Sequence, residues 1–307
     1  MPREDISRYV SRPGPVFEPG AGVRRSQTVR AFAVSVVVSF LALGSARPVA
    51  TPPTVTFFVA SDSHFGASGM SEANRSLVEQ MNALPGTEYP PEMGGRVDTP
   101  HGVLFTGDTT DNGHLEEFAE FEEVYGLTGT DGLLRYPVFE AIGNHDVNSE
   151  SPIKGRARER HGGTNYAWSW DDLTFLCLDM YPDVTTRAWM TRQLEKLGKD
   201  RPVILFFHYS LEGPYSDFWE QLDKDDFARA IEGYNVAAIF HGHEHRVGHY
   251  MWRGHPVFRP GAPRHSSHAF LAVRMGESEM SVAAWDFDHR QWLQSWVVPV
   301  RRGRARP

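Results

Sequence analysis

Thr54-Val55-Thr56-Phe57-Phe58-Val59-Ala60 is a run of β-branched and aromatic residues, and Ser61-Asp62-Ser63-His64 follows it at once. A short apolar run of this kind reads as a buried strand. The arrangement returns four times: Val103–Thr106 leads to Gly107-Asp108, Val138–Ile142 to Gly143-Asn144-His145-Asp146, Pro202–Phe207 to His208, and Val236–Phe240 to Gly242-His243-Glu244-His245. In an open α/β sheet the carboxyl ends of the strands border the crevice where ligands bind. Five strand ends bearing metal-ligand side chains therefore converge on one place.

Helical spacing separates these strands. Ser71–Leu84 puts Leu77, Val78 and Met81 on one side with Ser71 placed as N-cap, and His114–Tyr125, Val184–Leu197 and Lys224–Tyr234 are further helices. Tyr166–Trp170 and Leu173–Met180 read as a strand pair joined at Asp171-Asp172, with Tyr166, Trp168 and Trp170 as sheet packing. After Phe240 only short strands follow: Gly248–Trp252, Pro256–Arg259, Ala269–Met275, Met280–Trp285 and Trp292–Val298. The pattern predicts an α/β fold, a four-layer α-β-β-α sandwich of two mixed sheets flanked by helices.

The chain has 307 residues with 40% apolar and 23% charged side chains, an ordinary globular balance. Its single cysteine, Cys177, excludes an intrachain disulfide and a thiolate metal site, and its apolar surroundings predict a core residue. The 14 histidines, crowded beside Asp and Gly, point instead to nitrogen and oxygen ligands. The formal charge of −8 is unevenly spread. Setting aside the six Arg and three acids of residues 1–46 and the four Arg of 301–307 leaves 21 basic against 36 acidic side chains in residues 47–300, a net of −15. Such a body predicts no nucleic-acid-binding surface, and an anionic substrate would need a local positive centre.

Arg24-Arg25 and Arg30 precede an uncharged stretch from Ala31 to Ala46 that is too short to span a bilayer and ends in Gly44-Ser45-Ala46. Residues 1–46 are read as an N-terminal extension and signal peptide. The expectation is an exported protein, periplasmic or extracellular, with no stable membrane span in the mature chain; an uncleaved anchor or an internal amphipathic element are the alternatives. Residues 54–300 form the predicted domain, 301–307 a solvated basic tail, and the Pro/Gly-rich segment 85–100 a loop insertion able to shape the substrate groove.

The ordered set D-x-H, G-D, G-N-H-D, H, G-H-x-H resembles that of the calcineurin-like metallophosphoesterase family, and every motif is present. The resemblance implies a binuclear metal centre of two divalent or trivalent ions (Mn, Fe or Zn). Asp62, His64 and His245 would hold one ion, Asn144, His208 and His243 the other, and Asp108 would bridge them, a carboxylate being able to give one oxygen to each. It further implies a metal-dependent hydrolase of phosphoric esters, with His145 as the catalytic histidine that protonates the leaving oxygen and Asp146 orienting an imidazole. Monoester and diester cleavage are not separated by these motifs. The alternative is a catalytically silent metallophosphoesterase-like scaffold that binds partners.

Neighbouring residues carry two readings each. Tyr209, Tyr215, Phe218 and Trp219 follow His208 and either wall the substrate pocket, with Tyr209 and Trp219 foremost, or pack the loop. Asp111, Asn112 and His114 either start a helix in solvent or contact the substrate and the ligands. His241 either ends a strand bonded to backbone or touches substrate, and His265 and His268 either stay in their Gly-Pro-rich loop or approach the first ion.

Overall fold

The computed structural model describes residues 54–147, 152–265 and 267–302. The proposed leader and most of the terminal tail lie outside them. Two six-stranded sheets form the centre. In the first, β1 (Val55–Ala60), β2 (Val103–Phe105) and β3 (Val138–Glu140) run parallel, and β10 (Ala269–Met275), β11 (Glu279–Asp286) and β12 (Gln291–Pro299) extend it antiparallel from β1. The second sheet is ordered β4 (Asn165–Trp170), β5 (Leu173–Leu178), β6 (Val203–Phe206), β7 (Val236–Phe240), β9 (His255–Pro260), β8 (Val247–Trp252), with β5, β6, β7 and β9 parallel. The strand-rich C-terminal part is thus divided between the two sheets, with β10–β12 completing the first.

Side-chain alternation makes the layers. Val55, Phe57 and Val59 of β1 face Phe175, Cys177, Phe206 and Phe240 between the sheets, with Phe57 edge-on to Phe175 at 5.3 Å. Phe58 and Ala60 face outward onto α1 (Met70–Ala83) and α2 (Leu115–Tyr125) through Leu77, Val78, Met81, Phe118 and Phe121. On the other outer face Leu176, Leu178 and Leu205 meet Met190 and Leu194 of α4 (Val184–Leu197) and Phe227 and Ile231 of α5 (Gln221–Ile231). Cys177 is a buried free thiol in the middle layer. Among the described residues no helix is long and apolar enough to cross a membrane.

Several local expectations change. Helix α1 starts after Gly69, whose left-handed φ of 80° supplies the cap position, while Ser71 bonds Glu120 across to α2. A helix absent from the sequence reading, α3 (Ile153–His161), carries three Arg and one Lys and buries only Ile153 and Ala157. It is held by Arg160 and His161 on the buried Glu140, each 2.6 Å away, and by Arg156 on Glu122 at 2.9 Å. The 85–100 loop lies away from the ligands: it feeds β2 at its amino end, buries Tyr89, Met93 and Val97, and is bonded by Arg274 and Trp292. Arg302, expected in a solvated tail, is buried and paired with Asp172.

Candidate metal centre

Register brings the motifs together. Ala60 pairs with Phe105 and Phe105 with Glu140, so three parallel strands end side by side and release Asp62, Asp108 and Asn144 into adjacent loops. Phe206 pairs with Phe240 in the second sheet, which does the same for His208 and the His243/His245 turn. Two ligand groups result. Asp62, His64, Asp108 and His245 form one and Asp108, His208 and His243 the other, the donor atoms of each lying within 4.8 Å of one another. Asn144 joins the second through its Oδ1, 3.0 Å from His208 Nε2. All seven expected ligands are gathered.

Asp108 belongs to both groups. Its Oδ2 lies 3.2 Å from His208 Nε2 and 3.8 Å from His64 Nε2, while Oδ1 accepts the His145 backbone N–H at 2.8 Å. Asp108 thus stands where its carboxylate would hold both cations. The chemistry of the donors fits two hard or borderline cations: carboxylates, imidazoles and an amide oxygen, without sulfur. Spacing fits too. His64 Nε2 and His245 Nε2 are 3.1 Å apart, and His243 Nδ1 and His208 Nε2 3.2 Å. Neighbouring ligands on a cation with bonds of about 2.1 Å stand at such separations.

The backbone is forced at these positions. Asp62, His64, Asp108, His243 and His245 all have φ between 45° and 70°, a left-handed conformation that side chains other than Gly adopt at a cost of about 1 kcal/mol or more. Glycines make room for it. A Cβ on Gly143 would lie 2.1 Å from Asp108 Oδ1, and one on Gly242 2.7 Å from Asp62 Oδ2 and 2.0 Å from Ser61 Oγ. Asp62 also accepts the His243 backbone N–H at 3.1 Å, tying the loop after β1 to the His243/His245 turn.

Outer contacts orient the imidazoles. His208 Nδ1 donates to Thr106 O (2.8 Å) and His64 Nδ1 to Asp111 Oδ1 (3.2 Å), leaving the opposite nitrogen of each ring to face a cation. Asp111 also receives Arg264 Nη1 at 2.8 Å, so a guanidinium stands beside the first group. The sequence offered Asp111 only as one of two readings and gave no sign of Arg264, because their pairing spans 153 positions.

Charge is distributed unevenly in the cluster. Burial alone would raise the Asp62 carboxyl, but the His245 bond and the other imidazoles hold it well below the usual range, and His208 does the same for Asp108. Burial pushes His64 down to about 4 against the pull of Asp108 and Asp62, and burial and His208 push His243 to about 4. His208 goes the other way, up to about 9, since Asp108 and Asp62 outweigh its burial.

The remaining expected residues sort clearly. His145 is partly exposed, its ring edge-on to His64 at 4.6 Å, and its Nδ1 donates to Asp111 O at 2.7 Å, which leaves Nε2 open. The buried Asp146 carboxylate accepts N–H bonds from Thr109, Thr110 and Gly143 and hydroxyl bonds from Thr109 and Thr110, so it staples the Asp108 loop to the Asn144 loop. Burial, with Asp108 nearby, raises its carboxyl above the usual range. His114 is the exposed N-cap of α2, its backbone N–H on Glu117, and stands outside the ligand groups. Trp219 is buried, donates to Ser210 O at 2.8 Å and packs on Phe207, so it belongs to the core. Tyr209 does reach the site, 5.1 Å from the His243 ring. His241 bonds Tyr250 Oη, His265 stacks on His245 at 5.0 Å, and His268 turns away to Asp288.

Fold and site together define a class: two-sheet α/β proteins whose strand ends build a carboxylate-linked site for two cations. The profile of the calcineurin-like phosphoesterase family matches residues 55–247, and the chain belongs to that family. It is 28% identical over 184 residues to a probable glycerophosphodiester phosphodiesterase of Arcobacter nitrofigilis, covering 54% of this chain and 64% of that one. With a probable cyclic nucleotide phosphodiesterase of Rhodococcus erythropolis it shares 26% over 213 residues, covering 64% and 67%. The chain thus spans about two thirds of the length of these relatives. Among solved structures, a dimetal phosphatase from Danio rerio has the same fold, with a TM-score of 0.57, 13% identity, and coverage of 80% of this chain and 99% of that one.

Proposed function

We propose that the chain is a two-metal hydrolase of phosphoric esters that acts on phosphodiesters. The observation that carries this reading is the gathering of seven ligand side chains from five strand ends into two groups that share Asp108. The naming of both sequence relatives as phosphodiesterases supports the diester preference.

Asp62, His64 and His245 would hold one cation, Asn144, His208 and His243 the second, and Asp108 both. Two cations so held supply a water acidic enough to give hydroxide near neutral pH and neutralise phosphoryl oxygens, which is the positive centre the acidic body otherwise lacks. The chain's own residues do the rest. His145, fixed through Nδ1 on Asp111 O, carries its transferable proton at Nε2 and gives it to the leaving alkoxide, a contribution of about 10²–10⁴-fold. Asp111 keeps His64 and His145 in place together, and Asp146 fixes the loops that carry Asp108 and Asn144.

Hydrolysis of bis(p-nitrophenyl) phosphate and p-nitrophenyl phosphate by protein reconstituted with manganese, iron or zinc tests the reading. Turnover of the diester above the monoester is expected; no turnover of either with two ions bound refutes it. Export on the 24–46 leader is a further part of the proposal, and it fails if the full-length chain fractionates with the cytoplasm of its host.

A further inference from the structure

The segment between β6 and α5 carries aromatic rings of two kinds. Trp219 is buried at its far end, and Lys224 stands over the Trp219 ring and bonds Ser216 O, so the segment is pinned at its base. Tyr215 and Phe218 are instead 48% and 49% exposed, the two aromatic residues among the large hydrophobics that the described residues expose. Both stand edge-on to one ligand, His243, with Phe218 at 4.4 Å and Tyr215 at 6.1 Å, and the buried Tyr209 meets the same ring at 5.1 Å. Leaving two large rings half in water forgoes burial that would stabilise the fold. The opposite flank of the centre is polar, since Arg264 and His265 stand there beside Asp111 and His245.

We propose that Tyr215 and Phe218 form a shelf on the His243 side of the metal centre that receives one planar aromatic group of the substrate, a nucleobase or an aryl ring, while the phosphoryl group lies at the cations. The substrate class is then a phosphodiester with a flat aromatic substituent on one side and a polar one on the other. This rests on the hydrolase reading above and names its substrate. Phe218 also leans on Tyr209 at 5.3 Å, and the exposed half of each ring offers surface for stacking, where a stacked base is worth about tenfold in affinity.

Calorimetric binding of adenosine monophosphate and glycerol 3-phosphate to the manganese-loaded full chain tests the shelf. The expected result is tighter binding of adenosine monophosphate by about tenfold or more, a preference that narrows to about threefold or less in the double variant Tyr215→Ala/Phe218→Ala and persists in Phe218→Trp. Equal binding by the wild type, or an unchanged preference in the double variant, overturns the proposal. The two readings separate. A chain that shows the preference yet hydrolyses neither chromogenic ester loses the hydrolase reading alone, and one that hydrolyses the diester without the preference loses the shelf alone.

Discussion

The loops that carry the ligands and the loop that carries Tyr215 and Phe218 border the same centre but are built oppositely. Asp62, His64, Asp108 and His208 are buried, Asp62, His64, Asp108, His243 and His245 are left-handed in backbone, and a Cβ on Gly143 or Gly242 would strike a ligand carboxylate. The aromatic loop is pinned at its base and exposes its rings. Chemistry that needs fixed distances is placed where strand register sets them, and recognition that tolerates variation is placed on a surface loop.

Asp108→Ala breaks the rigid half most severely. Both ligand groups lose the shared carboxylate, so at least one ion is lost and turnover falls by about 10³-fold or more; full retention of both ions by metal analysis would refute the bridging role. His145→Ala follows, with both ions kept and a fall of about 10²–10⁴-fold. If metal occupancy drops instead, its side chain serves the centre and not the proton. Gly143→Ala tests the backbone argument: with 2.1 Å to Asp108 Oδ1, a methyl displaces that carboxylate, and a loss of about 2–4 kcal/mol in stability together with weaker metal binding is expected. Wild-type stability and metal affinity in this variant would mean the loop yields freely.

Glu140→Gln probes the base of the same loop. The carboxylate holds Arg160 and His161, and removing its charge is expected to cost about 3 kcal/mol in a urea melt. Burial raises the Glu140 carboxyl, but His161 and Arg160 outweigh it and hold the folded value below the ordinary 4.5. Its stabilisation is therefore fully present above that value and lost as pH falls through the folded one. A variant whose stability loss is equal at pH 7 and at acid pH contradicts this. The smallest effect belongs to the exposed rings, about tenfold in binding.

Much of this was legible because strand ends are local signals. Val184–Leu197, Val236–Phe240 and Ala269–Met275 have the bounds their patterns indicate, and the Asp183 side chain caps α4 by accepting the Thr186 N–H at 2.7 Å. The ligand motifs are legible for the same reason. Helix α3 was hidden because its stability comes from ion pairs to Glu122 and Glu140 and not from an apolar stripe. The destination of β10–β12 was hidden because pairing of β1 with β10 is a choice between distant partners of equal character. Asp146 looked like an imidazole partner from its place beside His145; Thr109 and Thr110, which donate to it, lie 37 and 36 positions away.

The ligand-loop account stands or falls on the cations themselves. Anomalous diffraction from manganese-soaked crystals of the full chain should show two peaks per chain, about 3.5–4 Å apart, with the Asp108 carboxylate touching both. A single peak, or two peaks too far apart to share Asp108, would contradict it.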